Sequence, residues 1–120
     1  MLPTPQKLRE KIIKYGTQYE AMYATDTRKT NYAADKLHNI MQIIKSNIEE
    51  YRLIIDELLY NDNIGVVYWV CGIAWESQYR VEDVKKLMLN IIKSPPNRTW
   101  KIIFSMSYEV RSGLIIKTDD

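Results

Sequence analysis

Apolar residues return at steps of three and four along most of this chain, in stripes separated by short polar breaks. The clearest stripes are Ile48, Tyr51, Ile54, Ile55, Leu58, Leu59 and Val81, Val84, Leu87, Met88, Ile91, Ile92. Each puts one apolar face along a helix, and each such face needs a neighbour to cover it. The pattern predicts a mainly helical domain.

The breaks carry the chemistry that starts and stops helices. Thr4 followed by Pro5 reads as an N-cap and first helical residue, because proline lacks an N–H that would be unpaired there anyway. That helix is expected to run to about Ala24, with Leu8, Ile12, Tyr15, Tyr19, Met22 and Tyr23 inward. Thr25-Asp26-Thr27 supplies a break and a new cap, and a second helix to about Ser46 would bury Ala33, Leu37, Ile40, Met41 and Ile44. Asn47 is placed to cap a third helix over Ile48 to Tyr60, whose first turn holds Glu49 and Glu50 where the helix dipole favours negative charge. Asn61-Asp62-Asn63 is a turn by composition.

Gly65 to Trp75 contains no charged residue and is expected to be the most buried element. Its β-branched residues and two glycines suit a buried strand as well as a helix; the matching lengths of the surrounding helices favour a central helix. Tyr79-Arg80 leads into a fifth helix that Ser94-Pro95-Pro96 must end, since proline disfavours helix in the residue before it. In the last segment Phe104, Met106, Tyr108 and Val110 alternate with polar residues like a strand, while Ile103, Met106 and Val110 fit helical spacing and Gly113 could end a helix. Both readings stand on the pattern alone. The lengths and short connections suggest about six helices in three antiparallel pairs. Ile43-Ile44-Lys45-Ser46 and Ile91-Ile92-Lys93-Ser94 look like a repeat, but they end different members of successive pairs and are read as coincidence.

At 120 residues and 46% hydrophobic, the chain fits a single domain over 1–120 with a core of its own. The formal charge of +2 comes from 17 basic and 15 acidic side chains, a balance that argues against a dedicated nucleic-acid surface. Met1 to Lys7 has no apolar signal core, and no uncharged apolar run reaches the ~20 residues that span a bilayer, so a cytoplasmic protein without a membrane partner is expected. The lone Cys71, between Val70 and Gly72-Ile73, reads as a small buried hydrophobe, and a reducing compartment fits it.

Candidate chemistry is sparse. His38 is the only histidine, so a His-pair metal site is excluded and Cys71 has no partner that the sequence identifies. The acidic pairs Glu49-Glu50, Glu82-Asp83 and Asp119-Asp120 are adjacent residues, which diverge on a helix and make poor carboxylate dyads. Four glycines form no phosphate loop, and there is no nucleophile elbow. Asn97-Arg98-Thr99 matches a glycosylation acceptor but reads better with Thr99 as a cap before Trp100. No enzyme activity, metal or cofactor is expected.

Nine tyrosines and three tryptophans against one phenylalanine favour rings with a polar tip, as interfaces do. Tyr32, Trp75, Tyr79 and Trp100 flank predicted breaks and are expected to be partly exposed. Tyr32, Trp75, Tyr79 and Arg80 form the candidate partner-binding set, since Trp, Tyr and Arg dominate interface energies.

Asp26-Thr27-Arg28-Lys29-Thr30-Asn31, Trp69 within Val67-Tyr68-Trp69-Val70-Cys71, Tyr79-Arg80 and Phe104-Ser105-Met106-Ser107-Tyr108-Glu109-Val110 together resemble an uncharacterised family of small bacterial HEAT-like proteins. The likeness covers roughly residues 20 to 113. Tyr68 stands where a basic residue is usual, and Cys71-Gly72 replaces paired small residues. The resemblance implies an all-α fold of helix pairs in a short right-handed HEAT-like stack, with the last segment helical, and it implies no activity. Relatives of this kind look like immunity proteins of toxin loci, so the expected role is binding another protein, a cognate toxin first. A general HEAT-like interaction scaffold is the alternative, followed by a nucleic-acid-binding helical domain. Near-neutral charge counts against one form of the immunity reading, because inhibitors of basic nucleases present acidic surfaces.

Overall fold

The computed structural model describes residues 1–113, so the acidic pair Asp119-Asp120 lies outside the described residues. Every described element is a helix: α1 (Pro5–Met22), α2 (Thr27–Ser46), α3 (Ile48–Leu58), α4 (Ile64–Glu76), α5 (Val81–Lys93) and α6 (Arg98–Ser112). No strand occurs among the described residues. Both ambiguous segments, α4 and α6, are therefore helical. The chain falls into two compact units, Met1–Tyr79 with α1 to α4 and Arg80–Asp120 with α5 and α6.

Side-chain oxygens start most of the helices. The Thr4 hydroxyl accepts from the Lys7 N–H at 3.2 Å, and the Asp26 carboxylate from the Lys29 N–H at 3.0 Å. Asn63 Oδ1 accepts from both Gly65 and Val66, at 2.9 and 3.1 Å. Two expected caps are corrected. Asn97, not Thr99, caps α6: its extended backbone lets Oδ1 take the Trp100 N–H at 3.0 Å, and Thr99 is already inside the helix. Asn47 precedes α3 but does not cap it with its side chain; its Nδ2 instead donates to the Ile43 carbonyl at 2.9 Å and serves the end of α2. Two helices also stop short of expectation, α1 at Met22 rather than Ala24 and α3 at Leu58 rather than Tyr60.

In the first unit α1 packs against α2, α3 and α4, and α4 also meets α2 and α3. That encirclement explains why α4 buries every residue from Gly65 to Trp75 except Tyr68, which is half-buried. A helix surrounded by other elements has no polar face to keep. Cys71 is fully buried, as its apolar neighbours suggested. The closest approach is between α1 and α4. A Cβ built on Gly65 would meet the Gly16 carbonyl oxygen at 2.2 Å, and one on Gly16 would meet the Val66 Cα at 2.9 Å. Two glycines let these backbones touch.

Leu8 and Ile12 of α1 are fully buried, but Tyr15, Tyr19 and Met22 are only half-buried and Tyr23 is exposed, so the inward stripe fades toward the helix end. Tyr51 is buried whole, its hydroxyl donating to the Pro3 carbonyl at 2.7 Å, which ties the N-terminus to α3. In the second unit α5 and α6 pack together, with Val84, Met88 and Ile92 of α5 and Trp100, Ile103, Phe104 and Tyr108 of α6 buried.

α4 ends in a Schellman turn. The Tyr79 N–H reaches the Ala74 carbonyl at 2.9 Å, and the Gln78 N–H reaches that of Trp75 at 3.1 Å. Gln78 occupies the left-handed position, with φ 57°, where glycine is the usual residue.

Candidate protein-interaction surface

The four residues singled out from the sequence have different surroundings. Tyr32 is 52% exposed on α2; its ring meets the edge of Tyr15 at 6.1 Å and lies under the Lys36 ammonium at 5.3 Å. Lys14 sits 5.3 Å from the Tyr15 ring, so two ammonium groups flank the tyrosine pair. Trp75 is only 7% exposed, and Trp100 4%, which corrects the expectation that both are partly open. Proximity to a chain break misled here, because Trp75 belongs to a helix enclosed by its neighbours and Trp100 turns inward to meet Phe104 at 6.1 Å. Tyr79 is half-buried and donates its hydroxyl to the Asp56 carboxylate of α3, 2.9 Å from Oδ1 and 3.0 Å from Oδ2. Arg80 opens the second unit: with φ 54° it precedes α5, and its Nε pairs with Asp83 Oδ2 at 3.0 Å.

Beneath Tyr19 the rings of α1, α2 and α4 converge on Trp69. Tyr19, His38 and Tyr68 each meet it nearly at right angles, with centroids 5.3, 4.9 and 5.8 Å away. Tyr19 also stacks parallel to Tyr68 at 5.9 Å. Trp69 is 5% exposed and its indole N–H has no hydrogen-bond partner, although a buried indole donor usually finds an acceptor. Burial, reinforced by Tyr68 and Tyr23, pushes the Tyr19 phenol above its usual pKa and keeps it neutral. This cluster is a core anchor, and it absorbs the lone histidine.

The outer face of α3 is of another kind. Leu53 is 66% exposed and Tyr60, in the turn after the helix, is 60% exposed, although Tyr51, Ile54, Ile55 and Leu58 of the same helix are buried. Carboxylates surround them. Glu57 is held by the Arg9 guanidinium at 2.6 Å, Asp56 by the Tyr79 hydroxyl, and Glu49 lies 3.7 Å from Arg52. At the N-terminal end of α3 an open groove of about 350 Å³ is lined by Leu2, Ser46, Asn47, Ile48, Glu49 and Glu50. Sequence reasoning missed this face; the signal was Leu53 itself, a large aliphatic residue off the apolar stripe. Of the sequence-predicted set, Tyr79 alone is bonded to α3 in these contacts, and Tyr32 pairs with α1 instead.

No group of three or more His, Cys, Asp or Glu that could hold a metal ion occurs among the described residues. No helix among them is long and apolar enough to cross a membrane. No protein-family model, curated protein or solved structure matches the chain.

Proposed function

We propose that this chain is a non-enzymatic protein-binding domain that acts as an immunity protein, holding a cognate bacterial toxin in a stoichiometric complex. The observation that carries the reading is exposed Leu53 on α3 together with exposed Tyr60 in the turn that follows it, with Asp56 and Glu57 between them in the chain. A covered apolar stripe on one side of a helix completes a core; large apolar side chains left open on the other side, inside a polar rim, have the make-up of an interface. Tyr79 borders this face through Asp56 and belongs to the proposed contact set; Tyr32 on α2 and, in the second unit, Arg80 are proposed as contacts in their own right. Trp75, being buried, is not proposed as a direct contact.

The proposed architecture is three antiparallel helix pairs in a short right-handed HEAT-like stack. The contacts of α1 with α2 and of α5 with α6 support two of these pairs, while α4 meets α3 but packs more extensively against α1. Co-purification from the native host tests the function: a toxin encoded beside this chain and recovered in equal amount supports immunity, whereas several unrelated proteins would favour a general scaffold. Recovery of no protein would remove the binding reading.

A further inference from the structure

We propose that the outer face of α3 docks a basic protein surface, with Leu53 at the centre of the contact. The inference rests on the protein-binding reading and specifies the chemistry of the partner. Net charge conceals the relevant pattern. Residues 48–63 carry five carboxylates, Glu49, Glu50, Asp56, Glu57 and Asp62, against the single Arg52, whereas residues 5–46 carry eight lysines and arginines against four acids. The chain is close to neutral only because its elements are oppositely charged. Arg9 pairs with Glu57 and Arg52 with Glu49, while Asp56 accepts the Tyr79 hydroxyl, a neutral partner.

A run of acids on a helix is ordinarily a solvated face, and solvation needs no leucine. Leu53, two-thirds exposed amid these carboxylates, is the departure. Complementary charge speeds encounter and selects the partner, while an apolar centre closed off from water slows dissociation. A lysine- or arginine-rich surface presenting one apolar side chain satisfies both. A second copy of the chain offers basic charge on α1 and α2, but pairing those helices with α3 would join two different surfaces. Such a contact repeats from copy to copy unless its rotation closes a ring, and does not give a one-to-one complex.

The test uses the full chain and a fluorescein-labelled amphipathic helical peptide made only of leucine and lysine, with its leucine and glutamate counterpart as control. Fluorescence anisotropy should show saturable binding of the lysine peptide alone, weakened at least about tenfold between roughly 0.05 and 0.3 M salt. Leu53→Ala and Glu50→Lys should each weaken it several-fold; the thermal midpoint stays in place for exposed Leu53→Ala and falls slightly for Glu50→Lys, which reverses a charge in the first turn of α3. Absence of saturable binding, equal binding of the two peptides, or indifference to both substitutions would overturn the inference. So would sedimentation showing that the chain associates with itself through this face. A host protein that co-purifies and binds both variants as tightly as the parent overturns this inference and leaves the protein-binding reading standing.

Discussion

The Gly65 backbone lies so close to that of Gly16 that a single methyl group on Gly65 would stand 2.2 Å from the Gly16 carbonyl oxygen and 2.8 Å from the Glu20 Cβ. Backbone cannot swing aside as a side-chain tip can. Gly65→Ala would gain about 0.5–1 kcal/mol of helix propensity in α4, but forcing the helices apart costs about 1–3 kcal/mol. The second effect should win, with a net loss of about 1–2 kcal/mol in a urea titration. A gain in stability would show that α1 and α4 are not in backbone contact.

Trp69 is enclosed by Tyr19, His38 and Tyr68. Trp69→Ala should cost about 3–5 kcal/mol, the range for deleting a large buried aromatic. Denaturant titration decides the matter, and a loss below about 1 kcal/mol would contradict the packing.

Gln78 holds a left-handed conformation in the turn after α4. For a residue with a Cβ that conformation costs about 1–2 kcal/mol, more than the ~0.5–1 kcal/mol of extra chain entropy that glycine loses on folding. Gln78→Gly should therefore raise stability by up to about 1 kcal/mol, although it gives up the 3.3 Å bond from Nε2 to the Trp75 carbonyl. A thermal midpoint that falls would count against the turn.

The raised pKa of Tyr19 makes stability depend on alkaline pH. Because the folded pKa exceeds the unfolded value of about 10, the unfolded chain loses this proton first. The contribution is fully present below about pH 10 and is lost as pH rises toward the folded value. Tyr51 is shifted the same way, by burial and then Glu50. Tyr19→Phe should thus make the melting midpoint fall less steeply above pH 10, without abolishing the fall. Identical slopes for the two proteins would show that Tyr19 titrates normally.

Helix positions were readable where one face of a segment is polar, because that contrast fixes both the period and the side that turns inward; α2, α3 and α5 follow from it directly. α4 lacks the contrast, being apolar all round, so valines and glycines spoke equally for a strand until the enclosing helices were in place. The Gly16 and Gly65 contact was hidden because the two residues lie in different helices and neither position looks special alone. The misplaced cap at Thr99 came from preferring the residue beside Trp100, when an N-cap serves the N–H three residues on. At the proposed interface, Tyr79 was legible as an amphipathic ring near a helix end, but its tie to Asp56 joins residues 23 apart in the chain. The acidic character of α3 was masked by averaging charge over the whole chain.

The most direct measurement of the account is isothermal titration of the chain with the protein that co-purifies from its native host, for the parent and for Tyr60→Ala. The account predicts a one-to-one complex, with affinity for the variant reduced by on the order of 2 kcal/mol and an unchanged thermal midpoint. Titrations of parent and variant that superimpose would remove Tyr60 and the α3 face from the contact, and a native host that yields no protein partner would contradict the claim that this chain works by binding one.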